Sequence, residues 1–328
     1  MIDLMRVDYR LILLPPNGSK IDITELIESW SHEEMEDQIA AKLTVKMKNV
    51  KREDGWIHQH VYLAKRLVLE ATDGTGWKEV FRGSVWNWKT ISDNHTLHFV
   101  AYDPLYPITI SKEHYYFTKG VTGAASIKTI AGEQGIPIGD IQGPNIALTK
   151  KLYKNYIADT MVERLKESVL KGSAKYILRS TKGKLECVKA GSNSVIYDID
   201  DWTTETSSDE HSIEKLVTKV KIYGNAKGDA RPKVESTKTG KTEFGNLQEV
   251  LYKSDFDNMG EANKAADAIL KEEGKPEFNR SLVHPDIPWV RKGDKIKVNS
   301  GTINSMCIVK SVDREIGSRK MTLQLKGV

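Results

Sequence analysis

The sequence contains few of the residues from which disulfide frameworks and zinc sites are built. It has two cysteines among 328 residues, Cys187 and Cys307, which lie far apart in the chain. Neither belongs to a CxxC motif or to a Cys/His cluster, which argues against both kinds of site. Each lies in a segment rich in β-forming residues, so we expect two free buried thiols, as in a protein of a reducing compartment.

Long apolar runs and targeting signals are also missing. No stretch approaches the ~18 apolar residues that a membrane span requires. The first ten residues, MIDLMRVDYR, lack the basic region and apolar stretch of a signal peptide. We therefore expect a protein that is made and kept in the cytoplasm, or released by lysis, and that has no membrane partner.

The charge balance gives no strong indication of nucleic acid, because the net charge is only +4. The charges are nevertheless segregated: residues 198–214 include seven acidic residues and no Lys or Arg, and residues 215–241 include eight basic and two acidic residues. The basic segment alternates Lys with apolar residues in VTKVKIYG and lacks interleaved aromatic residues that could stack on bases. We expect a solvated β face or a protein interface there, and no specific nucleic-acid binding.

Motifs for nucleotide binding and nucleophilic catalysis are absent. The TGKT of residues 239–242 resembles the end of a phosphate-binding loop, but the full motif requires glycine at position 235, which is Glu235. No GxSxG motif occurs. A glycosidase would need two carboxylates at a fixed distance that sequence cannot measure, and most of the acidic residues are expected on solvated faces.

The histidines do not form a convincing metal site. His58 and His60 would share one face of a strand, but no carboxylate accompanies them at a ligand spacing, and the same holds for His95 and His98. SHEEME lacks the second histidine of an HExxH helix. The sequence therefore predicts no catalytic, cofactor-binding or metal-ligating residue and no cofactor, and the protein is not expected to be an enzyme.

The first compositional zone, residues 1–106, is predicted to be a small β-barrel. Residues 41–48 alternate, with Ala41, Leu43, Val45 and Met47 on one face. Gly83 inside a later strand predicts a bulge. Trp77, Trp86 and Trp88 share one hairpin as candidates for core or interface, and the same-face pair Trp86 and Trp88 is assigned to the core. The zone ends at Asp103-Pro104, where the strand TLHFVAY stops.

The second zone, residues 107–197, changes to a helical period and predicts a small α/β unit. One helix has Ala124, Ile127, Ile130 and Ala131 on one stripe, Thr122 as N-cap and Gly135 beyond its end. A second helix carries apolar positions 157, 161, 165 and 169 and ends at Gly172. A hairpin with Lys182-Gly183 at its turn follows.

The third zone, residues 198–328, begins in an acidic linker and returns to strands. LVTKVKIYG, LQEVLYK, DKIKVNSG, MCIVKSVDREI and KMTLQLKG are each predicted as strands. A helix near 260–274 interrupts them, with Ala262, Ala265, Ala266, Ile269 and Leu270 on one face. The zone is predicted to be a second β-barrel with a helical insertion, so the fold class is mainly β with an α/β middle.

The order of these blocks resembles that of the baseplate hub proteins of contractile phage tails. The resemblance rests on AYDPLYPITISKEHYYF, GVTGAASIKTIAGEQGIPIGDI, YIADTMVERLKESV, SIEKLVTKVKIYG, VHPDIPWVRKGDKIKV and the ending VKSVDREIGSRKMTLQLKGV. The chain is similar to the XkdQ-like hubs of PBSX-type prophages and related tail-like bacteriocins, and more distantly to the late control protein D and T-even hub families.

The resemblance implies a non-enzymatic protein in a virion tail baseplate, assembled in the bacterial host cytoplasm. Two tail-tube-like barrels per chain would give a homotrimer with a pseudo-six-fold ring, which adapts the tail tube to a three-fold central spike. The implied partners are the spike, the tail tube protein and neighbouring baseplate proteins, while the interface residues stay unknown.

Two alternatives stay open at this point. One is a tail-associated peptidoglycan hydrolase, although no catalytic motif supports it. The other is a cell-wall-binding module, which would need exposed aromatic residues in the middle zone. That zone offers Tyr153, Tyr156 and Tyr176, each of which we expect to pack.

Overall fold

Antiparallel strands form the first third of the chain in a computed structural model of the protein, which describes residues 2–15, 19–53, 55–224, 231–256 and 258–327. These strands are β1 (Asp8–Leu14), β2 (Ile21–Asp22), β3 (Ile27–Glu34), β4 (Lys42–Lys48), β5 (Lys51–Arg52), β6 (Gly55–Trp56), β7 (Arg66–Thr72), β8 (Lys78–Ile91) and β9 (Thr96–Tyr102). The alternation predicted for residues 41–48 is confirmed: Leu43, Val45 and Met47 are buried in the core of this region. We call the assembly of these strands the first β region.

Gly83 allows a close approach of strands rather than forming a bulge. The register shifts in β8 fall on either side of it, at Val80 and Trp86. A Cβ atom at position 83 would lie 2.3 Å from the carbonyl oxygen of Tyr102 in β9. The predicted bulge at Gly83 is therefore wrong in position, and the glycine is required by packing.

The bulge at Trp86 also overturns the prediction that Trp86 and Trp88 share a core face. An extra residue in a strand reverses the inside–outside alternation beyond it. Trp88 is half-buried against the first core and stacks on His58, with ring centroids 6.2 Å apart. Trp86 is 39% exposed and contacts Tyr106 edge to face, and Trp77 is 40% exposed beneath the guanidinium of Arg10.

The abrupt end of β9 is fixed by the buried carboxylate of Asp103. It accepts hydrogen bonds from the backbone N–H groups of Ala41 and Leu105, each 2.9 Å long. The first contact holds the chain to the start of β4, and the second begins the turn into helix α1 (Tyr106–Ile110). The boundary predicted at residue 106 therefore coincides with a change from strand to helix, while the division into domains stays a prediction.

The middle third contains helices and short sheets, as the sequence predicts. After α1 come β10 (Lys112–Phe117), α2 (Gly123–Glu133), β11 (Ile138–Ile141), β12 (Lys151–Tyr156), α3 (Ile157–Leu170), β13 (Tyr176–Thr181) and β14 (Lys184–Lys189). Thr122 caps α2 by accepting from the N–H of Ala125 at 3.1 Å, and Gly135 has φ +65°. The predicted hairpin is β13–β14, with Lys182 and Gly183 both at positive φ. We call these elements the middle unit.

The predicted acidic linker is wrong, because most of its residues form strands of the last third. β15 (Asp198–Asp200) and β16 (Thr206–Ser212) lie within it. The remaining elements are β17 (Lys219–Tyr223), β18 (Val234–Thr239), β19 (Gln248–Tyr252), α4 (Met259–Glu272), β20 (Glu277–Pro285), β21 (Lys295–Ser300), β22 (Ile303–Glu315) and β23 (Lys320–Gly327). We call β15, β16 and β20–β23 the second β region.

The strands predicted from LVTKVKIYG and LQEVLYK exist, but they do not belong to the second β region. They are β17 and β19, and β17 is the central strand of a separate three-stranded sheet, paired with β18 on one side and β19 on the other. This sheet packs on α4 around Val220, Ile222 and Ala266. The chain leaves the second β region at Ser212 and returns at Glu277, directly opposite, so the insertion comprises this whole unit and not the helix alone.

The two β regions share one continuous sheet. The last residues of β22 pair with the last residues of β3, Val312 opposite Glu34 and Glu315 opposite Ser31. Apart from the short β5–β6 pair, which forms a sheet of its own, this pairing joins the strands of both regions into a 13-stranded sheet, in which each region keeps its own core. The predicted fold class, mainly β with a few helices, is confirmed. Among the described residues, no helix has the length and apolar character needed to cross a bilayer.

Candidate functional site: a buried polar junction

The loop between β20 and β21, residues 286–294, touches all three regions of the protein. It belongs to the segment VHPDIPWVRKGDKIKV, and several of its polar side chains are buried. Its hydrogen bonds reach the first β region, the middle unit and the second β region. We call this set of contacts the junction.

Arg314 on β22 is the central cation of the junction and is 2% exposed. Its Nε donates to Asp286 at 3.1 Å, and its Nη2 donates to the carbonyl of Val290. The other carboxylate oxygen of Asp286 accepts from the hydroxyl of Tyr9 in the first β region. A buried charge is tolerated only when it is paired and hydrogen-bonded, so this arrangement links β1, β22 and the loop.

Arg291 connects the first β region to the middle unit. Its Nε donates to Glu34 at 2.8 Å, and its Nη groups donate to the Thr181 hydroxyl and the Ser180 carbonyl, each at 2.8 Å. The planar guanidinium can satisfy these partners at once, which a lysine could not do. The β13–β14 hairpin is therefore held against the seam between the two β regions.

Lys292 and Arg179 complete the junction. The ammonium of Lys292 donates to the carbonyls of Met35, at 3.0 Å, and Gln38. Arg179 donates to Asp294 at 2.9 Å and to the carbonyl of Lys292 at 3.0 Å. Backbone acceptors predominate around Lys292, so the loop connecting β3 to β4 is fixed to the second β region.

Burial dominates the electrostatics of this junction. It lowers the pKa of His32 to about 3, with Arg314 acting in the same direction, and lowers the pKa of Lys292 to about 8. Burial alone would raise the pKa of Glu34, but the charge and hydrogen bond of Arg291, with contributions from His32 and Arg314, together more than offset it, and the pKa lies well below its usual range. His32 is thus neutral and Glu34 ionised at neutral pH.

Asp103, the buried carboxylate at the end of β9, gives the stability of the protein a pH dependence that can be measured. Burial raises the pKa of its carboxyl from the ordinary 3.8 to about 7. A raised folded-state pKa contributes stability that is present below the unfolded pKa and is lost as pH rises through the folded one. Relative to Asp103→Asn, the wild-type free energy of unfolding should fall by about 2–3 kcal/mol between pH 5 and pH 8. Urea titrations of both proteins across this range test it, and parallel curves would contradict it.

A cavity of about 140 Å³ lies beside the network. Its lining includes His32, Glu34, Lys182, Trp289, Arg291 and Arg314. The Nε2 atom of His32 has no hydrogen-bond partner among the described residues. Glu34 and Arg291 are paired with each other and Arg314 is paired with Asp286, so the buried charges beside this partly open cavity are already satisfied.

The structure does not assemble the histidines into a metal site. His58 lies in the short 3₁₀ turn Ile57–Gln59 and not on a strand, and its Nδ1 is 3.1 Å from the Asn49 side-chain oxygen. His95 lies in the β8–β9 turn and stacks on Trp56. Within the described ranges, no group of three or more His, Cys, Asp or Glu residues could hold a metal ion.

The other sequence candidates also lack a catalytic setting. Thr239, the first residue of TGKT, ends strand β18, and residues 240–242 are not followed by the helix that a phosphate-binding loop requires. Cys187 and Cys307 are both free and buried, as predicted. Tyr153 is buried as expected, whereas Tyr156 is 37% exposed beneath the ammonium of Lys112.

Sequence reasoning missed the surface features that suggest interfaces. Trp202, in the turn between β15 and β16, is 96% exposed. β16 lies at one end of the large sheet, so one of its edges carries backbone groups without a strand partner among the described residues. An exposed tryptophan and an open strand edge are both typical of surfaces that another chain covers.

Comparison with known proteins identifies the family. The profile of the YQBQ-like family matches residues 29–326. The chain belongs to that family. It is 26% identical over 220 residues to the phage-like element PBSX protein XkdQ of Bacillus subtilis strain 168, an alignment that covers 66% of this chain and 67% of the relative.

Solved structures place the YQBQ-like chain in the fold of phage tail proteins. The 43 kDa tail protein of prophage MuSo2 from Shewanella oneidensis superposes with a TM-score of 0.68 at 11% identity, covering 97% of this chain and 98% of that one. A tail protein of Neisseria meningitidis MC58 superposes with a TM-score of 0.69 at 14% identity, covering 97% and 96%. These likenesses extend over both β regions, the middle unit and the insertion.

Proposed function

We propose that the protein is a structural baseplate hub of a contractile phage tail or tail-like particle. Three copies form a ring that adapts the six-fold tail tube to the three-fold central spike. The observation that carries the proposal is the pairing of β22 with β3, which fuses two β regions into one sheet. A chain with two such regions supplies six of them to a three-copy ring, which matches a six-fold tube on one side.

The junction supports a mechanical role. A ring that transmits force between tube and spike must keep its two β regions in a fixed relation. Paired and hydrogen-bonded buried ions such as Arg314–Asp286 and Arg291–Glu34 specify one arrangement, because any displacement would leave a charge unpaired in the interior. The protein acts in this proposal through surface and symmetry, without enzymatic activity, at the virion tail baseplate. Its partners are the spike, the tail tube protein and other baseplate proteins.

The mass of the purified protein in solution tests the ring. Light scattering coupled to size exclusion, over a dilution series, should give a species of three times the 36.9 kDa chain mass. If the protein alone is a monomer, the same run with a candidate spike protein should yield the three-copy species. A monomer under both conditions would contradict the proposal, and clearing of purified cell walls by the protein would contradict its non-enzymatic part.

A further inference from the structure

The two β regions are built on the same strand order. Hydrogen-bonded neighbours run β3-β4-β9-β8-β7-β1 in the first region and β16-β20-β23-β22-β21-β15 in the second. The strands also follow one another along the chain in the same order in both regions. Counted along the chain, the fifth of these strands in each region is the longest, with 14 residues in β8 and 13 in β22. Strand β3 therefore corresponds to β16, and β8 corresponds to β22.

The correspondence extends to single residues of the long strands. Both have a register shift, after Val85 in β8 and after Val309 in β22. Both end in a four-residue turn whose last residue has positive φ, 51° at His95 and 56° at Arg319. Val85 thus matches Val309 and His95 matches Arg319, so residues 88–91 of β8 match residues 312–315 of β22.

The loop that precedes the neighbouring strand repeats as well. Before β7, the N–H of Ala64 donates to the carbonyl of Val85 at 2.7 Å. Before β21, the N–H of Gly293 donates to the carbonyl of Val309 at 2.8 Å. Ala64 and Gly293 both have positive φ, 64° and 90°. Agreement at strand order, bulge, turn and loop makes β16 and β20–β23 a structural repeat of β3, β4 and β7–β9. Only the outermost strands differ in direction, since β1 is antiparallel to β7 and β15 is parallel to β21.

One edge contact of this repeat is used within the chain, and its counterpart is open. Residues 312–315 of β22 pair with 31–34 of β3. Among the described residues, the matching segment of β8, residues 88–91, has no strand partner on that side, because β7 pairs with β8 only as far as Ser84. When the pairing registers are followed from the β8–β9 and β22–β23 turns across each region, residues 31–34 of β3 correspond to residues 208–211 of β16. Within the described ranges, this edge of β16 is also unpaired.

We propose that residues 88–91 of β8 in one copy pair with residues 208–211 of β16 in a second copy, in the register of the pairing within the chain. Trp88 then lies opposite His211, Lys89 opposite Glu210, Thr90 opposite Asp209 and Ile91 opposite Ser208. The inference rests on the proposed ring and names the surfaces that close it. Because the two edges differ, the contact is head to tail, which generates a ring when the rotation closes.

The side chains fit this register. Lys89 and Glu210 are both exposed and of opposite charge, a favourable cross-strand pair. At the corresponding place within the chain two carboxylates, Asp313 and Glu33, lie opposite each other, and Lys42 binds Glu33 at 3.1 Å. The electrostatic interaction of Lys89 with Glu210 is therefore more favourable than that of Asp313 with Glu33 within the chain.

Burial points the same way. Trp88 is half-exposed, whereas its counterpart Val312, covered by β3, is completely buried. Pairing would thus bury the exposed part of the Trp88 ring while satisfying two open strand edges.

Disulfide cross-linking of the full chain tests the register. Lys89→Cys and Glu210→Cys, prepared as separate proteins, mixed and oxidised with diamide, should give a cross-linked dimer that neither yields alone. Directly opposite residues have Cβ atoms within disulfide range. The chain carrying both substitutions should give a ladder that ends at three copies. Lys48→Cys with Glu210→Cys is the matched control, because Lys48 is an exposed lysine of the same region in β4; it should give at least tenfold less product.

The outcomes separate this inference from the proposed ring. A three-copy mass without the 89–210 cross-link would overturn the register and leave the ring standing. Absence of any multimer, with or without the spike, would overturn both. Charge reversal gives an independent readout: Lys89→Glu or Glu210→Lys alone should weaken association about tenfold, and the two together should restore it, since each contact then again has one residue of each sign. Failure of the double variant to recover would contradict the pair.

Discussion

Replacing Arg314 with alanine is expected to lower the free energy of unfolding by about 3–5 kcal/mol, the cost of removing one partner from a buried ion pair. Asp286 would keep only the Tyr9 hydroxyl as donor, in a site where its carboxylate is fully buried. The carbonyl of Val290 would lose its guanidinium donor as well. Urea unfolding followed by tryptophan fluorescence, at one fixed protein concentration, measures the change.

Two further variants decide whether the cost comes from an unpaired charge. Arg319→Ala removes a half-exposed arginine that pairs with Asp8 at 3.5 Å, and should change stability by about 0.5 kcal/mol or less. Arg314→Met combined with Asp286→Asn should lose less than Arg314→Met alone, because the asparagine leaves no unpaired charge at position 286. Equal losses in the single and double variants would show that packing, and not charge, accounts for the effect.

Replacing Gly83 with alanine should destabilise the first β region by about 1–3 kcal/mol or more, as expected for overpacking against rigid backbone. The added methyl group would lie 2.3 Å from the Tyr102 carbonyl oxygen and 2.6 Å from the ring of Phe81. Strands β8 and β9 would have to separate beside Tyr102 to make room for it. The same urea measurement reports the loss.

Gly132→Ala is the matched control for this substitution. Gly132 lies inside helix α2, where an added Cβ would meet nothing within 4 Å. Alanine should therefore stabilise the helix by about 0.5–1 kcal/mol. If the two substitutions shift the unfolding midpoint equally, close approach of β8 and β9 is not the reason for a glycine at position 83.

Local structure could be predicted from the sequence wherever one pattern decides it. The alternation in residues 42–48 and the apolar stripes of α2, α3 and α4 depend on neighbours a few positions apart. The caps at Thr122 and Gly135 are local as well. In these segments burial and hydrogen bonding agree with propensity, and the structure confirms them.

The misses share a physical cause. β16 has the sequence TSSDEHS and therefore shows no apolar alternation that would predict a strand. A strand at the edge of a sheet can be polar on both faces when neither face packs against a core. β17 was correctly predicted as a strand, but periodicity does not say which sheet a strand joins. Trp86 was assigned to the wrong face because a one-residue bulge, invisible in the alternation, reverses it.

The junction could not have been predicted from the sequence for a different reason. Tyr9 and Asp286 are far apart in the chain, as are Glu34 and Arg291, and no local pattern links them. VHPDIPWVRKGDKIKV contributed to the family resemblance as a block. Its role as the loop that binds the three regions together emerges only from the contacts of its side chains.

The most direct test of the central claim is to image the assembled protein. Negatively stained or vitrified particles of the purified chain, alone or with its spike, should give class averages of a closed ring with three subunits and six similar lobes. Such averages would support the two repeated β regions as the pseudo-six-fold element of a tail. Open chains, two-fold dimers or isolated monomers under both conditions would contradict the account.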